Sequence, residues 1–391
     1  MRKLLIVSSV SEDAYASEIA EFCDQFTDIA DIISLKEFTN TEFCPRFISE
    51  EREEEIGHYL EGNTVVLVSA AHRDQCRNSL AMRNFLISRA SKENGAAHVV
   101  LLEPDLFYSA QDRGPRPDLG YPGVRREAQD LRKFDGQPFS AKLYSELLAL
   151  SGVDEVFTVQ NHSKSTVFMF ERTMRKRFHN LMPLDVFAHH FTHSDIIRPQ
   201  GDGENVVIVA PDGGARDIAN DFRKAMGFTG SRLMFFHKVR LSEHDVKVAV
   251  ADDSPTQLTD LTDKEVILVD DMVRTGGTIV ACAQELRQAN PRRVIFLVTH
   301  FCGSRDARIK LADSAIDEIV TTDTVPSILN RDVQGRLRKK IVVIRLGRWL
   351  AWHVLHTLGR PAGCYDRANL YRVEMSSRHP RYQRPVHVIT I

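Results

Sequence analysis

Val266-Ile267-Leu268-Val269-Asp270-Asp271-Met272-Val273-Arg274-Thr275-Gly276-Gly277-Thr278 is the stretch on which the fold turns. Its first four residues are apolar and mostly β-branched, which reads as a strand buried on both faces, as in parallel sheets. The strand ends in two acids. A turn of small residues then opens a helical pattern over Thr278–Asn290. Glycines there let backbone N–H groups approach an anion closely. The helix start adds partial positive charge, and the threonines bring hydroxyl donors. Asp270 and Asp271 stand at the carboxyl end of a strand, where open α/β sheets hold their ligands, and suit a sugar diol or a metal-bound substrate. A plain N-cap with a glycine turn accounts for Thr-Gly-Gly-Thr but not for the paired acids.

Working outward, the same strand–loop–helix unit recurs in both halves. Buried strands are expected at Leu4–Val7, Thr64–Val68, His98–Leu102, Val156–Val159, Val206–Val209 and Val294–Val298, with helices at Asp13–Phe26, Ser140–Ser151 and Ala215–Met226. This alternation predicts an α/β protein of two similar Rossmann-like domains, each a parallel sheet flanked by helices. Linker-like composition between Phe178 and Gly203 divides residues 1–178 from 179–345, and an Arg-, His- and Tyr-rich extension follows over 346–391. Arg113–Pro138 reads as an exposed loop or insertion, and the acidic run Glu50–Glu55 as a solvated helix face.

Composition narrows the function. The 391 residues are 43% hydrophobic and 27% charged with a net charge of −2, which argues against holding nucleic acid through bulk positive charge. The chain has no apolar run of about 18 residues, so no membrane span is expected. The apolar start of the chain ends at Val7 and reads as a strand, not as a leader. Six cysteines without a CxxC pattern read as reduced thiols, and a cytoplasmic location follows.

The acid-and-glycine stretch resembles the ribose-5-phosphate loop of the phosphoribosyltransferase fold, and further motifs resemble the ribose-phosphate pyrophosphokinases, or phosphoribosyl pyrophosphate synthetases. Ala210-Pro211-Asp212-Gly213-Gly214-Ala215 matches that family's pyrophosphate loop, and His237-Lys238-Val239-Arg240 the Lys-x-Arg of its catalytic flexible loop. Phe38-Thr39-Asn40-Thr41-Glu42 matches its Phe-x-Asn-x-Glu adenine motif. Tyr108-Ser109-Ala110-Gln111-Asp112 resembles its Tyr-Ala-Arg-Gln-Asp run, and Ser140-Ala141-Lys142-Leu143 the segment after it. His162 stands where the family has a metal-binding histidine, and the matches keep their order from about Arg2 to about Leu346.

The resemblance implies transfer of the β,γ-diphosphoryl group of ATP, or of another nucleoside triphosphate, to ribose 5-phosphate. Lys238 and Arg240 would be catalytic; two apart, they share one face if their segment is extended. Asp270 and Asp271 would hold the ribose hydroxyls, and Thr275, Gly276, Gly277 and Thr278 the 5-phosphate. Gly213 and Gly214 would admit the pyrophosphate. Asp212 and His162 would hold Mg²⁺, the carboxylate being the ordinary hard ligand. Phe38, Asn40, Glu42, Gln111 and Asp112 would bind ATP, the first three across a subunit interface, which implies a homo-oligomer.

Three positions depart from the common pattern. Ala110 replaces an arginine, Gln160 an aspartate, and Arg274 an acid. The last change and the Lys-Val-Arg sequence are similar to the phosphate-independent, donor-promiscuous class III subgroup. Alternatives are a catalytically inactive regulatory subunit and a phosphoribosyltransferase. His189 and His193 have the i,i+4 spacing of a transition-metal pair but no third ligand, so a structural role is expected there. The same applies to His300 and Cys302.

Overall fold

A computed structural model describes residues 3–48, 56–70, 77–161, 163–240, 246–362 and 372–375. The chain forms two compact units, Met1–Leu181 with Gly347–Tyr365 and Met182–Leu346 with Asp366–Ile391. The acidic run Glu50–Glu55 and His162 lie outside the described residues.

In the first unit β1 (Leu4–Ser8), β4 (Thr64–Val68), β5 (His98–Leu102), β6 (Glu155–Val159) and β7 (Phe178–Leu181) form a parallel sheet in that order. β2 (Ile33–Glu37) and β3 (Phe43–Phe47) make a separate antiparallel hairpin. The connections from β4 onward step the same way, so right-handed crossovers put helices Arg77–Glu93, Ser140–Ser151 and Lys164–Thr173 on one face. Leu5, Val7, Val65, Leu67, Val99 and Leu101 face them in one core with Ile87, Tyr144 and Phe170. By alternation, Ile6, Val66, Val100 and Phe157 point to the other face, and they are just as buried. A sheet wound one way leaves that face bare unless something returns to cover it. Helix Ala14–Phe22, packed against helix Gly347–Thr357, is that cover, with Trp349, Leu350 and Val354 buried. Part of the stretch read from sequence as an extension is therefore core.

The second unit holds β8 (Val206–Ala210), β9 (Arg232–Arg240), β10 (Val246–Val250), β11 (Glu265–Val273), β12 (Arg293–Phe301), β13 (Glu318–Thr322), β14 (Ile341–Ile344) and β15 (Arg372–Glu374). Their order is β10-β9-β8-β11-β12-β13-β14-β15, parallel except at the two edges. Here the winding reverses. From β8 the chain steps to β9, then crosses back to β11 on the other side. The two directions put helix Arg216–Met226 opposite helix Gly277–Arg287, so the sheet is covered on both faces by its own crossovers. Val207, Val209, Val266, Leu268 and Phe296 pack with Cys282 and Leu286 on one face. On the other, Phe191 of helix Leu184–His193 meets Phe222 edge to face at 5.4 Å.

Candidate active site

Adjacent strands whose connections leave in opposite directions open a crevice at their carboxyl ends, and β8 and β11 are such a pair. Asp212 leaves β8 in extended conformation, and its Oδ1 accepts the Gly214 N–H at 2.9 Å. Asp270 and Asp271 lie near the end of β11, half-buried, and the Asp271 N–H donates to Asp270 Oδ1 at 3.0 Å. Burial first, then the charges of Asp271 and Asp212, hold the Asp270 carboxyl well above the usual carboxylate range. Three acids from two strands thus sit within electrostatic reach of one another. Such crowding costs stability, and it is how a site that takes a cation or hydroxyl groups is recognised.

Two glycine turns flank these acids. Gly276 has φ of +71° and precedes helix Gly277–Arg287; a Cβ there would lie 3.1 Å from Leu311 Cγ. Nothing lies within 4 Å of where a Cβ would stand on Gly277 or Gly213, so both turns have open space before them. Thr275 is exposed and Thr278 half-buried beside the first N–H groups of the helix, which have no partner within it. Across the crevice, Gly213–Ala215 forms a short 3₁₀ turn that runs into helix Arg216–Met226.

The backbone of Lys238 and Arg240 lies on β9, opposite Val248 and Val246 of β10, so this segment is extended. Their side chains lie outside what is described. Sequence reasoning passed over Arg216. This residue forms a bidentate pair with Asp253 at 2.7 and 2.9 Å, and its guanidinium lies 4.6 Å from the Phe235 ring centroid. Its position at the start of the helix after the glycines was the available signal.

In the first unit, Phe38, Asn40 and Glu42 occupy the exposed tip of the β2–β3 hairpin. The tip closes through the Phe38 N–H to the Glu42 carbonyl at 2.9 Å, and Asn40 Oδ1 accepts the Glu42 N–H at 3.2 Å. Lys36 Nζ stands 4.7 Å from the Phe38 ring centroid. Gln111 and Asp112 lie on the loop after β5. Ser140 donates to Gln111 Oε1 at 2.6 Å, and Ser163 donates to Asp112 Oδ2 at 2.6 Å. Asp112 is thus tied to the residue next to His162. A cavity of about 410 Å³ beside Asp112 and Ser163 is lined by Tyr121, Val124, Arg125 and Lys164. Arg113–Pro138 supplies one wall of it, and the stretch is more than an exposed loop. The Arg126 side chain is buried and donates to the carbonyls of Gly114, Arg116 and Leu119 at 2.7, 3.0 and 2.9 Å. Of the departing positions, Ala110 and Arg274 are exposed, and Gln160 is buried at φ of +38°.

His189 and His193 stack at 4.1 Å between ring centroids, and His300 is buried with Nδ1 3.0 Å from Thr324 Oγ1. Among the described residues no group of three or more His, Cys, Asp or Glu is arranged to hold a metal ion. No helix there is long and apolar enough to cross a membrane.

Comparison with known proteins agrees with this geometry. Residues 192–328 match the phosphoribosyl transferase domain family. A ribose-phosphate pyrophosphokinase of Methanopyrus kandleri is 28% identical across 75% of this chain and 88% of its own length. One from Haemophilus ducreyi is 27% identical across 78% of this chain and 84% of its own. Among solved structures, phosphoribosylpyrophosphate synthetase from Mycobacterium smegmatis matches 92% of this chain and 99% of its own, with a TM-score of 0.68 and 21% identity. That last likeness is one of fold.

Proposed function

We propose that this chain, which belongs to the ribose-phosphate pyrophosphokinase family, transfers the β,γ-diphosphoryl group of ATP or another nucleoside triphosphate to O1 of ribose 5-phosphate. The products are phosphoribosyl pyrophosphate and AMP. The observation that carries this reading is the gathering of Asp212, Asp270 and Asp271 between two glycine turns at the reversal of the sheet.

In this reading Asp270 and Asp271 take the ribose hydroxyls, and Thr275, Gly276, Gly277 and Thr278 take the 5-phosphate on the helix start. Gly213 and Gly214 let the backbone approach the diphosphate. The bond from O1 to the β-phosphorus forms as the bond from that phosphorus to the bridging oxygen breaks; AMP keeps the oxygen, and O1 loses its proton. Little covalent work falls to the protein in such a transfer, so positioning and charge carry the rate. Lys238 and Arg240 on β9 are the catalytic cations, stabilising charge on the migrating phosphates.

Asp212 and His162 are the proposed Mg²⁺ ligands. The hard carboxylate of Asp212 suits the ion, which is ordinarily held by one or two side chains and the substrate phosphates. When bound, Mg²⁺ supplies neutralisation of the triphosphate charge.

Phe38, Asn40, Glu42, Gln111 and Asp112 form the nucleotide contacts. The hairpin tip is exposed, which suits action across a subunit interface and hence a homo-oligomer. The free thiols of Cys23 and Cys44 suit the cytoplasm. The test is product identity with Mg²⁺, ribose 5-phosphate and ATP. AMP and phosphoribosyl pyrophosphate in equal amounts support the reading. ADP in place of AMP overturns it in favour of a simple kinase, and no product from any donor turns it toward a regulatory subunit.

A further inference from the structure

The loop that carries Gln111 and Asp112 rests on a buried acid for which the proposed reaction has no use. Glu103 follows β5 directly and is fully buried. An acid in that place is costly unless its oxygens are met. Tyr144 donates its hydroxyl to Glu103 Oε2 at 2.7 Å, Asn84 donates Nδ2–H to the same oxygen at 3.0 Å, and the Phe107 N–H donates to Oε1. Tyr144 and Asn84 come from two different helices, while Phe107 belongs to the loop. The carboxyl therefore ties the start of the loop to the core. Further along, the Val159 N–H donates to the Pro104 carbonyl at 3.1 Å, Thr166 to the Ser109 carbonyl at 3.0 Å, and Ser165 to the Asp112 carbonyl at 2.7 Å. Tyr108, at φ of +58°, lays its ring 5.2 Å from that of Tyr144.

We propose that Glu103 is a positioning residue for the nucleotide: through Phe107 and Tyr144 its carboxyl sets the path of residues 104–112 and so the placement of Gln111 and Asp112. The inference rests on the reading that Gln111 and Asp112 meet the nucleotide. It also makes nucleotide binding sensitive to pH.

Burial lifts Glu103 from an ordinary 4.5 to about 8; the Phe107 N–H, the Tyr144 hydroxyl and Arg77 pull it down, and Asp105 pushes it up. Arg77 is already ion-paired with Asp105, and Tyr144 is itself held well above its ordinary value by burial and by Glu103, with Tyr108 a lesser influence. Below about pH 8 the carboxyl is neutral, and the Asn84 oxygen, which has no hydrogen-bond partner among the described residues, can take its proton when the amide is turned. Above it, an ionised carboxylate sits in a dry interior, and opening the loop to water relieves it.

The test is KM for ATP and for ribose 5-phosphate, with kcat, from about pH 6.5 to 9 in the full chain. In the wild type KM for ATP should rise above pH 8, by about tenfold per pH unit if only the neutral form binds, while kcat and the other KM stay nearly level. Glu103→Gln cannot ionise, and its profile should be flat. Tyr144→Phe removes a donor to the carboxylate and should move the rise to higher pH, which keeps the test usable if Glu103→Gln folds poorly. A Glu103→Gln profile that rises like the wild type, or a Tyr144→Phe rise that does not move, overturns the proposal. Gln111→Ala separates the two levels of inference. An unchanged KM for ATP there removes the nucleotide role of the loop, and Glu103's role with it. A raised KM there beside a flat wild-type profile overturns Glu103 alone.

Discussion

The sheet of the second unit reverses direction at β8, whereas that of the first runs from β1 to β7 without turning back. The reversal opens a crevice, and three acids collect in it, one from the end of β8 and two from β11. The one-way sheet has no such reversal. Its described candidate residues sit instead on a hairpin tip and on the loop after β5. On the proposed function the second unit holds the sugar and the migrating diphosphate, and the first presents groups to the nucleotide. The same contrast explains where the chain ends up. The one-way sheet lacks a cover for its second face and recruits helix Gly347–Thr357, while the reversed sheet supplies both covers itself.

The largest test of this division is Lys238→Ala. Turnover should fall by about 10²–10³, the cost of one lost contact to transition-state charge, while ATP affinity measured by equilibrium dialysis stays near the wild type. A mutant that kept most of its rate would take β9 out of the chemistry. Asp270→Asn comes next. It should lower kcat/KM for ribose 5-phosphate by about tenfold to a hundredfold, one lost hydrogen bond from a charged group. The same change should raise Tm by a few degrees, because it removes a carboxyl that burial and two neighbouring acids hold well above its ordinary range, at a cost in stability at neutral pH. A lower Tm would make the crevice a structural feature.

Phe38→Ala probes the other side of the comparison. KM for ATP should rise about tenfold with kcat and Tm almost unmoved, since the ring is 43% exposed and belongs to none of the cores formed by the described residues. An unchanged KM would leave the hairpin without a nucleotide role. The smallest effect concerns Glu155, at the start of β6. Burial tends to raise its carboxyl, but hydrogen bonds from His179 at 2.6 Å and His98 at 2.9 Å outweigh that and hold it at about 2. A folded value below the ordinary 4.5 means stability that is present above about 4.5 and lost as pH falls toward 2. Glu155→Gln should therefore lower Tm by a few degrees at neutral pH and flatten the loss of Tm in acid. Asp270, raised rather than lowered, acts with the opposite sign. An acid limb unchanged in Glu155→Gln would break that contrast.

The site was legible where it is local. Asp270 to Thr278 spans strand end, turn and helix start, so spacing alone showed acids, glycines and helix N-terminus together. The buried runs of β1, β4, β5, β6, β8, β11 and β12 were legible for the same reason, being apolar almost throughout. Helix Gly347–Thr357 was not recognised as core. Its Arg, His and Trp residues look like a polar tail until Trp349, Leu350 and Val354 meet a helix from the start of the chain. Arg126 and Glu103 were missed because a charged residue reads as solvated. Only the carbonyls around one and the donors around the other make their burial tolerable.

By itself the sequence determined the periodicities, the glycine turns, the α/β class and the order of the motifs, all of which depend on neighbours a few residues apart. The tertiary structure alone decided that the sheet reverses at β8 and that Leu268 pairs with Val209, which brings Asp270 within reach of Asp212. It also decided that Glu103 lies beneath the loop to Asp112. Such meetings close long stretches of chain, and which of them forms depends on how all the strands and helices bury their faces at once, information that no local spacing carries.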